Sequence, residues 1–252
     1  MDLGEIVAIA LAGLAAGTIN TVVGSGTLIT FPVLLAFGYA PVTANVSNNI
    51  GLVPGAISGA IGYRRELAGQ RSRAIRFGCF SVLGGAIGAV LLLNLPAAAF
   101  KAIVPVFIAI ALVLVVLQPR INRWVAARRE RGEDHEDTRR TLPLVFGAGV
   151  YGGYFGAAQG IILLAVFGVT LTQDLHRSNA LKNVLAASVN GIAGLIFVFA
   201  AHVAWAPAAI IAGSSIVGGQ LGARYGRRLP QDMLRILIVV VGVAAILKLL
   251  LD

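Results

Sequence analysis

Apolar residues occur along this chain in runs long enough to cross a lipid bilayer. A membrane-spanning helix needs about 20 predominantly apolar residues. Six segments meet this requirement directly, namely residues 41–61, 77–95, 97–117, 178–201, 207–223 and 230–251. The pattern therefore predicts a helical protein that crosses a membrane several times.

Two further apolar segments, residues 6–37 and 142–172, are too long for one crossing and short for two. Each is interrupted near its middle by a glycine-rich break, at 24–26 in the first and at 156–160 in the second. Glycine allows a chain to leave the helix and turn. We expect each segment to form a hairpin of two short helices that enters and leaves on the same side.

The chain also repeats itself at a constant spacing, 218 − 84 = 134 residues. The residues of the first half that recur at this spacing are Ser81, Gly84, Gly85, Gly88, Ala89, Leu95 and Pro96. The same spacing pairs Gly26 with Gly160, so the two breaks also correspond. We predict two related membrane halves, residues 1–117 and 142–252, joined by a linker at 118–141.

Charge at the loops indicates how the halves are oriented. The loop at 62–76 is basic and its counterpart at 201–205 has no Lys or Arg, whereas the turn at Asn94 is uncharged and its counterpart at 224–228 is basic. Basic loops tend to stay in the cytoplasm, so equivalent loops are expected on opposite sides.

The expected fold class is therefore an all-α polytopic membrane protein with two inverted-topology repeats. Each repeat is a broken re-entrant helical hairpin plus three transmembrane helices. This arrangement places the linker 118–141 in the cytoplasm and both termini outside.

Composition supports a membrane protein and argues against other classes. Hydrophobic residues make up 58% of the 252 residues and charged residues 12%, whereas a soluble domain carries roughly a quarter charged residues. The net charge of +9 lies in clusters between apolar segments, which favours cytoplasmic loops and lipid contact over a nucleic-acid partner. A single cysteine, Cys79, excludes an intrachain disulfide.

Polar residues gather around the two breaks. Broken helices at matching positions of inverted halves point to a transport site, and free N–H groups at helix starts after Gly26 and Gly160 would favour an anion. The candidate substrate-binding residues are Asn20, Thr21, Ser25, Gly26, Thr27, Asn45, Asn48, Asn49, Gln159, Gly160, Asn179, Lys182 and Asn183. Neighbouring polar residues are Ser47, Ser178, Ser188 and Asn190. Alternatively, such residues only join helices by hydrogen bonds.

Lys182 lies inside the predicted span 178–201, about one helical turn from its cytoplasmic end. It either contacts the substrate or extends to the nearby membrane surface. Asp232, near the start of the segment 230–251, is the one Asp or Glu inside a predicted span, and the lack of a deeper carboxylate disfavours a cationic substrate. Paired carboxylates, a Cys/His cluster and a phosphate-binding glycine loop followed by Lys are absent from the sequence, so we expect a transporter rather than an enzyme, with no cofactor or metal.

Both halves carry glycine- and asparagine-rich motifs in a fixed order. The first half carries Gly13-x3-Gly17, Gly24-Ser25-Gly26 and Ala44-Asn45-x-Ser47-Asn48-Asn49. The second carries Gly152-Gly153-Tyr154-Phe155-Gly156, Gln159-Gly160 and Ser178-Asn179-Ala180-Leu181-Lys182-Asn183. These motifs resemble those of the TauE/SafE family of sulfite-exporter-like proteins. The resemblance implies export of sulfite or a small organosulfonate, such as sulfoacetate, from the bacterial cytoplasm across the plasma (inner) membrane. Family members often have a richer glycine run at the first break than this chain has.

Two other functions stay open at this point. The protein could be an anion channel or an uptake carrier for a related sulfur oxyanion, or a non-transporting membrane scaffold whose linker binds a soluble partner. The partners we expect are a small anionic substrate and membrane lipid, with a homodimer also open.

Overall fold

The computed structural model describes residues 1–130, 137–226 and 231–251. These ranges form ten α-helices and contain no strand, so the predicted all-helical fold is confirmed. The helices are α1 (Leu3–Val22), α2 (Thr27–Ala36), α3 (Pro41–Gly62), α4 (Arg71–Asn94), α5 (Ala97–Glu130), α6 (Thr138–Tyr154), α7 (Gln159–Thr170), α8 (Leu175–Ala200), α9 (Trp205–Tyr225) and α10 (Gln231–Leu251). Residues 131–136 of the predicted linker, and Leu229 and Pro230 of the repeat, lie outside the described ranges.

Five helices are long and apolar enough to cross a membrane, namely α1, α4, α5 over Ala98–Ala127, α8 and α9. Many of their apolar side chains face outward, and Phe199 on α8 is 82% exposed. Contact with lipid would be favourable for such a surface, whereas contact with water would be unfavourable. The chain is therefore a multi-pass membrane protein. Helix α3 has 22 residues, and four of the five residues at 45–49 are polar.

Both predicted breaks are present. In the first, Gly24 adopts a φ of +90° between α1 and α2. In the second, Gly156 has a φ of +79° and Ala158 a φ of +58° between α6 and α7. Glycine adopts this left-handed conformation easily, whereas Ala158 is strained in it. The three residues let the chain reverse direction within four residues.

Each broken segment returns to the end at which it started. The Tyr39 hydroxyl, just after α2, donates a hydrogen bond of 2.9 Å to Glu5 at the start of α1. The N–H of Asp137, before α6, donates to the carbonyl of Thr170 at the end of α7 over 3.0 Å. The two segments are therefore hairpins.

The prediction that both arms of each hairpin are short is wrong. The first arms, α1 and α6, have 20 and 17 residues, and only α2 and α7 are short, with 10 and 12 residues. Gly13 and Gly17 do not interrupt α1, because they serve close packing instead. A Cβ on Gly17 would lie 2.4 Å from the carbonyl oxygen of Ser215 on α9.

Helices of one half pack against helices of the other half. Helix α1 of the first half packs along α9 of the second, and α6 of the second packs along α4 of the first. These pairs interchange when each helix is replaced by its counterpart in the other half. The inverted orientation of the halves stays a prediction, and this packing supports it.

Candidate substrate site where the two breaks meet

The two breaks touch each other inside the protein. The N–H of Gly160 donates to the carbonyl of Gly24 over 3.2 Å. A Cβ added to Gly24 would lie 2.4 Å from the Cα of Gly160, and a Cβ on Gly160 would lie 2.5 Å from the Cα of Gly24. Because real Cβ atoms do not approach so closely, this contact requires glycine on both sides.

Asparagines from one half cap the broken helix of the other. A helix ends with backbone carbonyls that have no partner within the helix. At the end of α1, the side-chain amides of Asn179 and Asn183 donate to the carbonyl of Thr21 over 3.1 and 3.2 Å. At the end of α6, the amide of Asn45 donates to the carbonyl of Tyr154 over 3.0 Å. Asn45 and Asn179 are equivalent positions, since 179 − 45 = 134.

Lys182 is fully buried at the same place. Its ammonium donates to the carbonyls of Asn20 and Thr21 over 2.9 and 3.2 Å. These carbonyls form the C-terminal end of α1, where the helix dipole favours a positive charge. Lys182 has a relative exposure of 0%, so the alternative that it extends to the membrane surface is wrong.

The buried charge at this site is positive only. Within the described ranges, Lys182 is the single buried Lys or Arg, and no Asp or Glu is buried. The ammonium is therefore stabilised by carbonyl dipoles alone, which leave its net charge uncancelled.

A small cavity lies against Lys182 at the meeting of the breaks. Seven of the predicted binding residues line it, namely Asn20, Thr21, Thr27, Gln159, Gly160, Lys182 and Asn183. Its volume is about 20 Å³, and on this scale a single water needs about 10–15 Å³. A sulfur oxyanion is several times larger than water, so the cavity is too small for one in this conformation.

Five lining residues were not among the predicted binding residues, namely Gly24, Ala56, Gly156, Ala186 and Asn190. Selection by polarity passes over glycine and alanine, although small residues provide the space of a site. A positional signal was present, because Asn183, Ala186 and Asn190 recur at helical spacing on one face of α8.

The other predicted residues lie around the cavity without lining it. Asn48 joins α3 to the start of α2 through hydrogen bonds with the hydroxyls of Thr27 and Thr30. The Asn49 amide donates to the Asn190 side chain over 3.4 Å. The remaining members of this group are Ser25, Gly26, Asn45 and Asn179.

The N–H groups of Gly26 and Gly160 themselves are not free in this conformation. The N–H of Gly26 donates to the side chain of Asn20 over 2.8 Å, and that of Gly160 donates to Gly24. Away from water, helix-start donors bind the nearest acceptor. An anion would therefore have to displace these acceptors or use other donors.

Some buried polar atoms near the site lack a partner among the described residues. They are the Ser25 and Tyr154 hydroxyls, the side-chain carbonyl oxygens of Asn45, Asn49 and Asn179, and the Gln159 amide nitrogen. Leaving such an atom unpaired costs about 1–3 kcal/mol. Gln159 also lines the cavity, so its amide is an unused donor at the place where a ligand would bind.

Membrane-spanning helices around a small polar cavity are an arrangement found in membrane transporters. The family model for the sulfite exporter TauE/SafE matches residues 9–249. The chain belongs to this family of membrane transporters.

Three curated relatives cover most of the chain. A probable membrane transporter protein of Escherichia coli K12, YfcA, is 29% identical over 94% of this chain and 86% of its own length. A probable membrane transporter protein of Haemophilus influenzae is 26% identical over 100% and 98%. The probable membrane transporter protein ORF9 of a Sinorhizobium species is 27% identical over 96% and 91%. No solved structure matches the chain.

Proposed function

We propose that the protein exports a small sulfur oxyanion such as sulfite, or an organosulfonate such as sulfoacetate, across the bacterial inner membrane. The observation that carries this proposal is the central cavity, where a fully buried Lys182 has no buried carboxylate within the described ranges to neutralise it. The family description, which names sulfite, supports the substrate class.

The positive charge of Lys182 should make the cavity favour anions over cations. Two like unit charges 4 Å apart repel each other by about 4 kcal/mol at an effective dielectric constant of 20. A cation beside Lys182 would meet this repulsion, whereas an anion would gain a similar attraction. The amides of Gln159 and Asn183 line the same cavity and would replace part of the water around a bound anion.

Lys182 can turn toward an anion because its present acceptor is crowded. The carbonyl of Thr21 receives three donors, from Lys182, Asn179 and Asn183. A carbonyl oxygen has two lone pairs, so one donor is surplus. When Lys182 turns to the substrate, the two asparagines keep Thr21 paired, and only the carbonyl of Asn20 loses its bond from the ammonium.

Transport requires the closed cavity to open. Gly24 and Gly160 bring the backbones of the two hairpins into contact at this site, and separating the hairpins there would widen the cavity. With inverted halves, opening would alternate between the two sides. The inside-negative membrane potential drives an anion outward, by about 2.3 kcal/mol per charge per 100 mV.

Ligand binding to the purified protein tests the proposal. A ligand that binds the folded state raises the unfolding temperature. We expect sulfite or sulfoacetate to raise it, and choline or sodium at equal ionic strength not to. Stabilisation by cations alone would contradict an anion site.

Filling the cavity with a larger side chain tests whether the anion binds there. Ala186 lines the cavity and its neighbour Ala187 does not, so Ala186→Leu should abolish anion stabilisation and transport while Ala187→Leu preserves both. Equal behaviour of the two variants would place the site elsewhere.

A further inference from the structure

A second pocket lies away from the central cavity, where three helices begin. Its volume is about 380 Å³, and its polar lining consists of Ser72, Arg73, Arg76, Thr138 and Arg177. Three of these five side chains are arginines. They come from the starts of α4, α6 and α8, so distant parts of the chain build this one pocket.

The first turns of these three helices carry positive charge, which the helix dipoles disfavour there. The N-terminal end of a helix is partly positive and favours acidic residues. None of the three helices has an acidic residue in its first turn, and α4 begins with Arg71 and Arg73. Asp137 and Asp174 accept from the helix-start N–H groups of α6 and α8, which offsets part of the positive field. A bound anion would offset more of it.

The pocket's arginines are already positioned. The guanidinium of Arg177 donates to the carbonyl of Ala68 over 3.2 Å, and that of Arg73 donates to the side chain of Gln173 over 2.8 Å. The bond to Ala68 orients Arg177 without cancelling its charge. Arg76 is exposed at the pocket's edge. An anion entering the pocket would therefore find donors that need little further ordering.

The pocket continues onto an apolar helix face. Ser72 and Arg76 also border a shallow surface depression with Ile75. From Ile75, exposed apolar residues follow one face of α4, a helix long and apolar enough to span a membrane. They are Leu83, Ile87 and Val90. A free oxyanion has no use for such a face, but the acyl chains of a lipid would lie along it.

We propose that this pocket binds the phosphate of an anionic phospholipid, with the acyl chains lying along α4. Arginine suits this role because its planar guanidinium can donate two parallel hydrogen bonds to phosphate oxygens. The bound lipid would hold together the starts of three helices from both halves of the protein. This proposal is independent of the transported substrate.

Native mass spectrometry of the purified, delipidated protein tests the proposal. The protein is titrated with phosphatidylglycerol and with phosphatidylcholine of the same acyl chains. We expect phosphatidylglycerol to bind more tightly, and Arg76→Gln combined with Arg177→Gln to weaken it at least tenfold. Arg76→Gln alone should weaken it in the same direction and leaves the Arg177 bond to Ala68 intact. Arg224→Gln, an exposed arginine at the end of α9, is the matched control and should bind as the unmodified protein does.

Three outcomes would overturn the proposal. Phosphatidylglycerol and phosphatidylcholine could bind equally well, which would remove the role of charge. The arginine variants could keep full affinity for phosphatidylglycerol, which would place the lipid elsewhere. Soluble glycerol phosphate could bind as tightly as phosphatidylglycerol, which would make the pocket a site for free oxyanions.

Discussion

Replacing Lys182 by Met changes the buried charge at the centre of the protein with little change of shape. Methionine is unbranched and of similar length, but it brings no charge and no donor. In the resting structure, Thr21 would keep its bonds from Asn179 and Asn183, and Asn20 would lose its bond from the ammonium. One unpaired carbonyl costs about 1–3 kcal/mol, and removing a buried charge offsets part of this cost. We therefore expect a folded protein of similar stability.

The effect on transport should be much larger than the effect on folding. A hydrogen bond to a charged ligand contributes about 1.5–3 kcal/mol, so the apparent affinity for sulfite should fall roughly ten- to a hundredfold. The assay is sulfite flux in proteoliposomes, measured over a range of sulfite concentrations. Lys182→Arg keeps the charge and should retain more affinity than Lys182→Met. Asn183→Ala removes one of two asparagine caps and should fall between them.

The result that would refute this reasoning is clear. If the Met variant unfolds at the same temperature as the unmodified protein and transports sulfite with the same affinity, Lys182 is only a cap for α1. The proposed turning of its ammonium toward the anion would then be wrong. A variant whose affinity falls at unchanged unfolding temperature would support a direct contact with substrate.

Two further predictions concern the fold. Gly24→Ala introduces a Cβ 2.4 Å from the backbone of the other hairpin at a φ of +90°, and should lower the free energy of unfolding by about 2–5 kcal/mol in denaturation of the purified protein. Gly38→Ala is the control, because Gly38 has a φ of +84° but open space around it, and this variant should lose only the free energy of the backbone strain. An equal loss of stability in both variants would show that the contact between the hairpins contributes nothing. Cysteine at Ala68 should react with a membrane-impermeant reagent only from inside the cell and cysteine at Asn94 only from outside, both in a Cys79→Ser background, and the reverse result would invert the proposed topology.

The two hairpins could be predicted from the sequence because their signals are local. Glycines cluster at 24–26 and 156–160, and the internal repeat pairs the two positions. The lengths of the arms could not be predicted in this way. Glycine in a helix can mark either a break or a close contact, and only the neighbouring helix α9 distinguishes these two roles for Gly13 and Gly17.

The central residue of the candidate site could be predicted from the sequence, but the contacts between the two halves around it could not. Lys182 stands out in sequence because a charge is rare inside a membrane span. The contact of Gly24 with Gly160, and the capping of each break by the other half, depend on how the two halves pack. Nothing local to Asn45 or Asn179 indicates that each would bond to a carbonyl more than a hundred residues away.

Sulfite efflux from proteoliposomes under an imposed membrane potential tests the proposed function most directly. Vesicles containing the protein are loaded with sulfite, and the potential is set by a potassium gradient with valinomycin. If a singly charged anion is carried alone, 100 mV inside negative should drive the outside-to-inside ratio to roughly 50, from about 2.3 kcal/mol per charge. Efflux that grows with this potential, and that Ala186→Leu abolishes, is the expected result. Protein-dependent movement of a cation with no movement of sulfite or sulfoacetate would contradict the proposed function.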